Sequence, residues 1–205
     1  MKIVAVSQRI DNYPDLNERR DALDQKMISF VLEAGFFPVP VPNALSPNQS
    51  QEKVEPETFL PWLTAVNPQA ILLSGGNDIG TCSDRDLTEN ELLDYAAQKS
   101  IPVLGICRGM QILGVRAGVG LKRIGGHVRT RHILQGEISG EVNSFHNMSL
   151  DKRPSDYSVL VRSEDGEIEA IRHKNLPWEG WMWHPEREET FDSRDLERLK
   201  KLIDR

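Results

Sequence analysis

Short apolar runs alternate along the chain with segments of helical period. "KIVAVS" (2–7) has the unbroken apolar character of a buried strand. In "ERRDALDQKMISFVLEAG" (18–35), Ala22, Leu23, Met27, Phe30, Val31 and Ala34 recur at helical spacing and Gly35 supplies a stop, which predicts a helix over this stretch. "FPVPVP" (37–42) is extended, because proline breaks helices and disfavours helical backbone in the residue before it. "QAILLSGG" (69–76) is a second apolar strand closed by glycines, and a helix at about 88–99 leads into "IPVLGIC" (101–107). From about 120 to 172 the pattern changes to short β-like pieces with many turn residues. "WEGWMWH" (178–184) returns as a strand, and "SRDLERLKKLID" closes as a helix with Ser193 as its expected cap.

Strand and helix alternating in this way predict an α/β fold, a flavodoxin-like doubly wound and mostly parallel sheet, with 120–172 as a β-rich elaboration. Ligand sites in such folds lie at the carboxyl ends of the strands, where Gly75, Gly76 and Cys107 fall. Residues 43–57, rich in Pro, Asn, Gln and Ser, read as a surface loop, and no internal repeat is present. A length of 205 residues with 39% hydrophobic content suits a single domain, 1–205.

A net charge of -6 speaks against a nucleic-acid partner or an anionic membrane surface. The N-terminal apolar run is too short for a signal-peptide core, and no stretch could span a bilayer, so the cytoplasm is the expected location. With only 2 cysteines, Cys82 and Cys107, no disulfide framework is expected.

Cys107 sits in "GICRG", a glycine on either side, where an apolar strand meets a helix. The pattern is that of a nucleophile elbow, a tight turn that lifts one reactive side chain into the open; an inert buried thiol is the alternative. At the first turn of a helix, unpaired N–H groups stabilise negative charge and can hold a tetrahedral oxyanion. A base with an orienting partner is offered by "WHPERE", where Glu186 lies close enough to fix the tautomer of His184. Cys82, in a polar loop after Gly80, has no expected role.

Taken in order, "LLSGGND", "GICRGMQ" and "WHPERE" resemble the class I glutamine amidotransferase-like superfamily over nearly the whole chain. The resemblance implies a catalytic triad of Cys107, His184 and Glu186, with an oxyanion hole built from the backbone N–H groups of Gly76 and Arg108. It places Gly75, Asn77 and Gln111, together with Ser144, Phe145 and His146 of "NSFHN", around the glutamyl group. "GGND", "CRGMQ" and "NSFHN" look more like the γ-glutamyl hydrolase branch. Short length, "VNSFHN" and "WMWHPERE" within it are most similar to hydrolases of γ-glutamyl-CDP-amidate in capsular phosphoramidate synthesis. The implied reaction is release of glutamate from a γ-glutamyl amide through a glutamyl thioester, with no cofactor. A glutaminase subunit serving a separate synthetase, or a hydrolase of another γ-glutamyl amine, is the alternative, and a partner is expected only in the first of these cases. Oligomeric state is left open, and a binding module that has lost its chemistry is disfavoured by the intact triad.

"GGHVRTRH" (125–132) carries Arg129 and Arg131, candidates for a phosphate-bearing leaving group if the run is not simply a solvated loop. His127 and His132 alone, without cysteine or acidic neighbours, make an incomplete zinc site, so no metal is expected.

Overall fold

In a computed structural model, which describes residues 1–46 and 58–204, the predicted alternation resolves into thirteen strands and five α-helices. The loop expected at 43–57 falls mostly outside the described residues; Asn43–Leu45 form a 3₁₀ turn. The order along the chain is β1 (Ile3–Ser7), β2 (Arg9–Tyr13), β3 (Glu18–Ala22), α1 (Gln25–Glu33), β4 (Phe37–Val41), α2 (Phe59–Val66) and β5 (Ala70–Leu73). Next come α3 (Ser83–Lys99), β6 (Val103–Ile106), α4 (Arg108–Arg116), β7 (Leu121–Arg123), β8 (Val128–Gly136) and β9 (Gly140–Phe145). The chain then runs through β10 (Met148–Leu150), β11 (Tyr157–Arg162), β12 (Ile168–His173), β13 (Trp178–Trp181) and α5 (Ser193–Ile203).

One nine-stranded sheet, ordered β4-β1-β5-β6-β13-β12-β11-β8-β9, forms the spine. Its first five strands are parallel and its remaining four run antiparallel. The β-rich elaboration thus extends the central sheet rather than standing apart from it, and one cluster of buried apolar side chains runs beneath both halves. No helix among the described residues is long and apolar enough to cross a membrane.

Several boundaries differ from the sequence pattern, among them the strand expected at 178–184, which ends at Trp181. The helix expected from residue 18 begins only at Gln25, because Asp24 caps it by accepting from the Lys26 N–H at 2.9 Å. Glu18–Ala22 instead pair with Arg9–Tyr13 in an antiparallel hairpin whose connection uses Asn17 at φ 50°. α3 begins at Ser83, ahead of residue 88, and α5 is capped by Asp192, one residue before Ser193.

Glycine at 105 and 109 is dictated by packing. A Cβ on Gly109 would lie 2.2 Å from the Leu73 carbonyl oxygen of β5, and one on Gly105 would lie 2.4 Å from the Gly109 backbone. α4 therefore rests directly on the strands. Replacing glycine by alanine inside a helix ordinarily stabilises by about 1 kcal/mol. Gly109→Ala should instead destabilise by about 2 kcal/mol through overpacking against backbone that cannot give way. Gly125→Ala, with open space around it, should stay within about 0.5 kcal/mol of wild type. Denaturant midpoints of the two variants check this, and a Gly109→Ala protein as stable as wild type would refute the packing argument.

Candidate active site

The elbow is built at the end of β6. Cys107 has φ 52° and ψ -103°, a conformation L residues rarely adopt, and its N–H donates to the Trp181 carbonyl at 2.7 Å. The thiol is 8% exposed and stands directly before α4. The N–H groups of Arg108 and Gly76 have no hydrogen-bond partner among the described residues.

His184 lies shortly after β13. Its Nδ1–H donates to Glu186 Oε1 at 2.7 Å, and Cys107 is near enough to act on the charge of the imidazole. Burial opposes a charge on the imidazole, but the bonds to Cys107 and Glu186 outweigh it and push the pKa up to about 9. The ring needs glycine beside it, since a Cβ on Gly75 would lie 2.7 Å from His184 Cε1. Cys107, His184 and Glu186 are thus brought together, with Gly75 and Gly76 at their side.

The other candidates are placed in several ways. Asn77 spends its side-chain amide on the hairpin, accepting from the Ile10 N–H at 2.9 Å and donating to the Ile10 carbonyl at 2.8 Å. Gln111 donates to the Met148 carbonyl at 3.2 Å. Ser144 is buried and donates to the His127 carbonyl at 2.7 Å. Phe145 is part-exposed, stands edge-on to His184 with ring centroids 5.8 Å apart, and carries the Arg187 guanidinium over its face. His146 is buried and directs Nδ1 to the Met148 carbonyl at 3.1 Å. Arg129 and Arg131 are exposed on β8; Arg131 bonds Glu141 at 2.8 Å and Glu188 at 3.1 Å, whereas Arg129 enters no ion pair among the described residues. Cys82 is buried just ahead of α3.

Two supports escaped the sequence reading. Asn143 holds the backbone of His184 from both sides, accepting from its N–H at 2.9 Å and donating to its carbonyl at 2.7 Å. The second is a largely buried ionic network centred on Glu89 of α3. Glu89 accepts from Ser7 Oγ at 2.8 Å, from Arg85 Nε at 3.0 Å and from Arg108, which also bonds Asp86. Arg85 in turn donates to the carbonyls of Ser74 at 2.7 Å and Gly75 at 3.0 Å, fixing the turn that carries Gly76. The only sequence signal for these groups was their closeness to motifs, because buried polar residues blur the apolar period of α3.

Residues 38–200 match the family model described as glutamine amidotransferase class-I. The chain is 33% identical over 131 residues to γ-glutamyl-CDP-amidate hydrolase of Campylobacter jejuni subsp. jejuni serotype O:2. That match covers 61% of this chain and 66% of that enzyme, just under two thirds of its length. It is 29% identical over 164 residues to a glutamine-hydrolyzing GMP synthase subunit of Thermococcus kodakarensis, covering 72% of this chain and 82% of the relative. The crystal structure of a glutamine amidotransferase from Thermotoga maritima superposes with a TM-score of 0.61 at 16% identity, over 99% of this chain and 94% of the other, and shares the fold. With a family match across most of its length, the chain belongs to the class-I glutamine amidotransferase family, as an amidotransferase-like hydrolase.

Proposed function

We propose that the protein hydrolyses a γ-glutamyl amide, with γ-glutamyl-CDP-amidate as the substrate, by way of a glutamyl thioester on Cys107. The observation that carries this reading is His184, bonded to Glu186 and electrostatically coupled to Cys107, beside two backbone N–H groups that are unpaired among the described residues. The Cys107 thiolate attacks the δ-carbonyl carbon, and the N–H groups of Gly76 and Arg108 receive the oxyanion. As the C–N bond breaks, the leaving nitrogen takes the proton that His184 carries at neutral pH. Neutral His184 then removes a proton from water, which attacks the thioester; the C–S bond breaks, and glutamate leaves. Similarity to the Campylobacter hydrolase supports the substrate. A second reading, glutaminase subunit of a two-chain synthetase, is favoured by similarity to the GMP synthase subunit of Thermococcus.

Incubation of the isolated protein with γ-glutamyl-CDP-amidate and with glutamine separates the two. Rapid glutamate release from the first and little from the second is expected; the reverse would establish the glutaminase reading. Cys107→Ala should abolish release and the trapped acyl adduct seen by mass spectrometry, while Cys82→Ala should keep both.

The proton on His184 sets the alkaline limb. Its raised pKa keeps the donor charged below about 9, so kcat/KM for a γ-glutamyl anilide should fall as pH rises through that value. Glu186→Gln removes a charge that raises this pKa and should move the limb down by roughly one unit or more. A limb that is unmoved in the variant would count against Glu186 as the partner.

Arg129, exposed and unpaired by any carboxylate among the described residues, is the clearer of the two phosphate candidates, since Arg131 is tied to Glu188, which also accepts from Asn143 at 2.8 Å. Arg129→Ala should raise KM for γ-glutamyl-CDP-amidate several-fold and leave the uncharged anilide unchanged. Equal loss on both substrates would remove it from phosphate recognition.

A further inference from the structure

Four side chains that the proposed steps do not use converge on one another; one of them, His146, is the residue the resemblance set beside the glutamyl group. His127 precedes β8, His132 lies within it, His146 follows β9 and Glu169 is on β12. One ligand atom from each lies within 4.8 Å of all the others. His127 and His132 alone are an incomplete pair; the fold supplies His146 and an acidic partner. His127, His146 and Glu169 are almost wholly buried, at 1%, 3% and 0% exposure. Among the described residues, His127 Nδ1, His132 Nε2, His146 Nε2 and both Glu169 carboxylate oxygens have no hydrogen-bond partner.

The outer bonds decide what the inner atoms are. His146 Nδ1 faces the Met148 carbonyl at 3.1 Å, which can only accept, so this nitrogen carries the hydrogen. His127 Nε2 faces the Asp165 carboxylate at 2.8 Å and donates in the same way. In their neutral forms both rings therefore turn bare lone pairs toward Glu169, His127 Nδ1 at 3.4 Å and His146 Nε2 at 3.5 Å from Oε1. Acceptors facing a buried carboxylate without a donor are strongly unfavourable unless a cation sits among them. A water would bring two hydrogens and no charge.

From this geometry we infer that His127, His132, His146 and Glu169 form a binding site for a zinc-class divalent metal ion. Three imidazoles and one carboxylate are a tetrahedral zinc donor set, whose ligand atoms stand about 3.4 Å apart at metal–ligand distances near 2.0–2.1 Å. The two separations from Glu169 already match that edge. Asp165 and the Met148 carbonyl supply the outer hydrogen bonds that fix the tautomers of metal-bound histidines. Four protein donors leave no open position, so the ion is structural, cross-linking β8, the segment after β9, and β12.

The test uses the full chain with any affinity tag removed. After dialysis, mass-spectrometric metal analysis should find one zinc per chain, and Co²⁺ added to chelator-treated protein should give the visible absorption of a tetrahedral site. Zinc at a hundredfold excess over its Kd should raise Tm by roughly 5–10 °C over the stripped protein. His132→Ala, at a half-buried strand position, should lose the ion and the zinc-dependent shift while its metal-free Tm matches that of stripped wild type; Glu169→Gln should also lose the ion. Absence of retained metal together with a Tm indifferent to zinc would overturn the inference and assign the cluster to imidazolium–carboxylate pairing. Undiminished zinc binding by His132→Ala would equally overturn it.

Discussion

Glu89 is the charge around which the site is organised. Moving a carboxylate into the interior costs several kcal/mol unless its oxygens are fully engaged, and here Ser7, Arg85 and Arg108 engage them from β1, α3 and α4. The same contacts set the backbone proposed to receive the oxyanion. Arg108 anchors the first turn of α4 through its side chain while its N–H is unpaired among the described residues; Arg85 reaches on to the Ser74 and Gly75 carbonyls and orients the turn that bears Gly76. Burial depresses the pKa of Arg85 and the pull of Glu89 opposes that, so the pair is a mutual dependence rather than an added stabiliser.

The two halves of the sheet supply different parts of the proposed triad. The parallel half presents Cys107, at an elbow that exists only because Gly105 and Gly109 let α4 touch β5 and β6. The antiparallel half fixes His184. Asn143 on β9 grips His184 at both its N–H and its carbonyl, and Phe145 borders the ring. His184 is therefore located by its fit against Gly75 on one side and by β9 on the other, with Glu186 choosing its tautomer.

Elements whose stabilisation is local and apolar were legible in the sequence. β1, β5 and β6 are continuous apolar runs, and the glycine and proline punctuation of "GICRG" and "HPE" marks the ends on which the triad stands. Partnerships between distant polar residues were not legible. Glu18–Ala22 share a helical period with Gln25–Glu33, yet pair with Arg9–Tyr13, because Asp24 offers a better helix start and the hairpin is secured by Asn77 from more than fifty residues away. Asn143, Arg85 and Glu89 look like ordinary polar residues until the fold buries them.

"GGHVRTRH" shows how one segment can serve two chemistries. Along β8, successive side chains alternate between faces, and a bulge after Val128 leaves Arg129 outside the ladder at φ 56°. His132 pairs with Val142 in that ladder and its ring lies tilted against that of His127, centroids 4.1 Å apart, while Arg129 and Arg131 remain exposed. The run that reads as one basic loop is thus divided into a cationic outer surface and a buried imidazole cluster. Both lie beside Asn143, whose amide grips His184 from β9, so the β-rich extension is the frame that holds the His184 backbone.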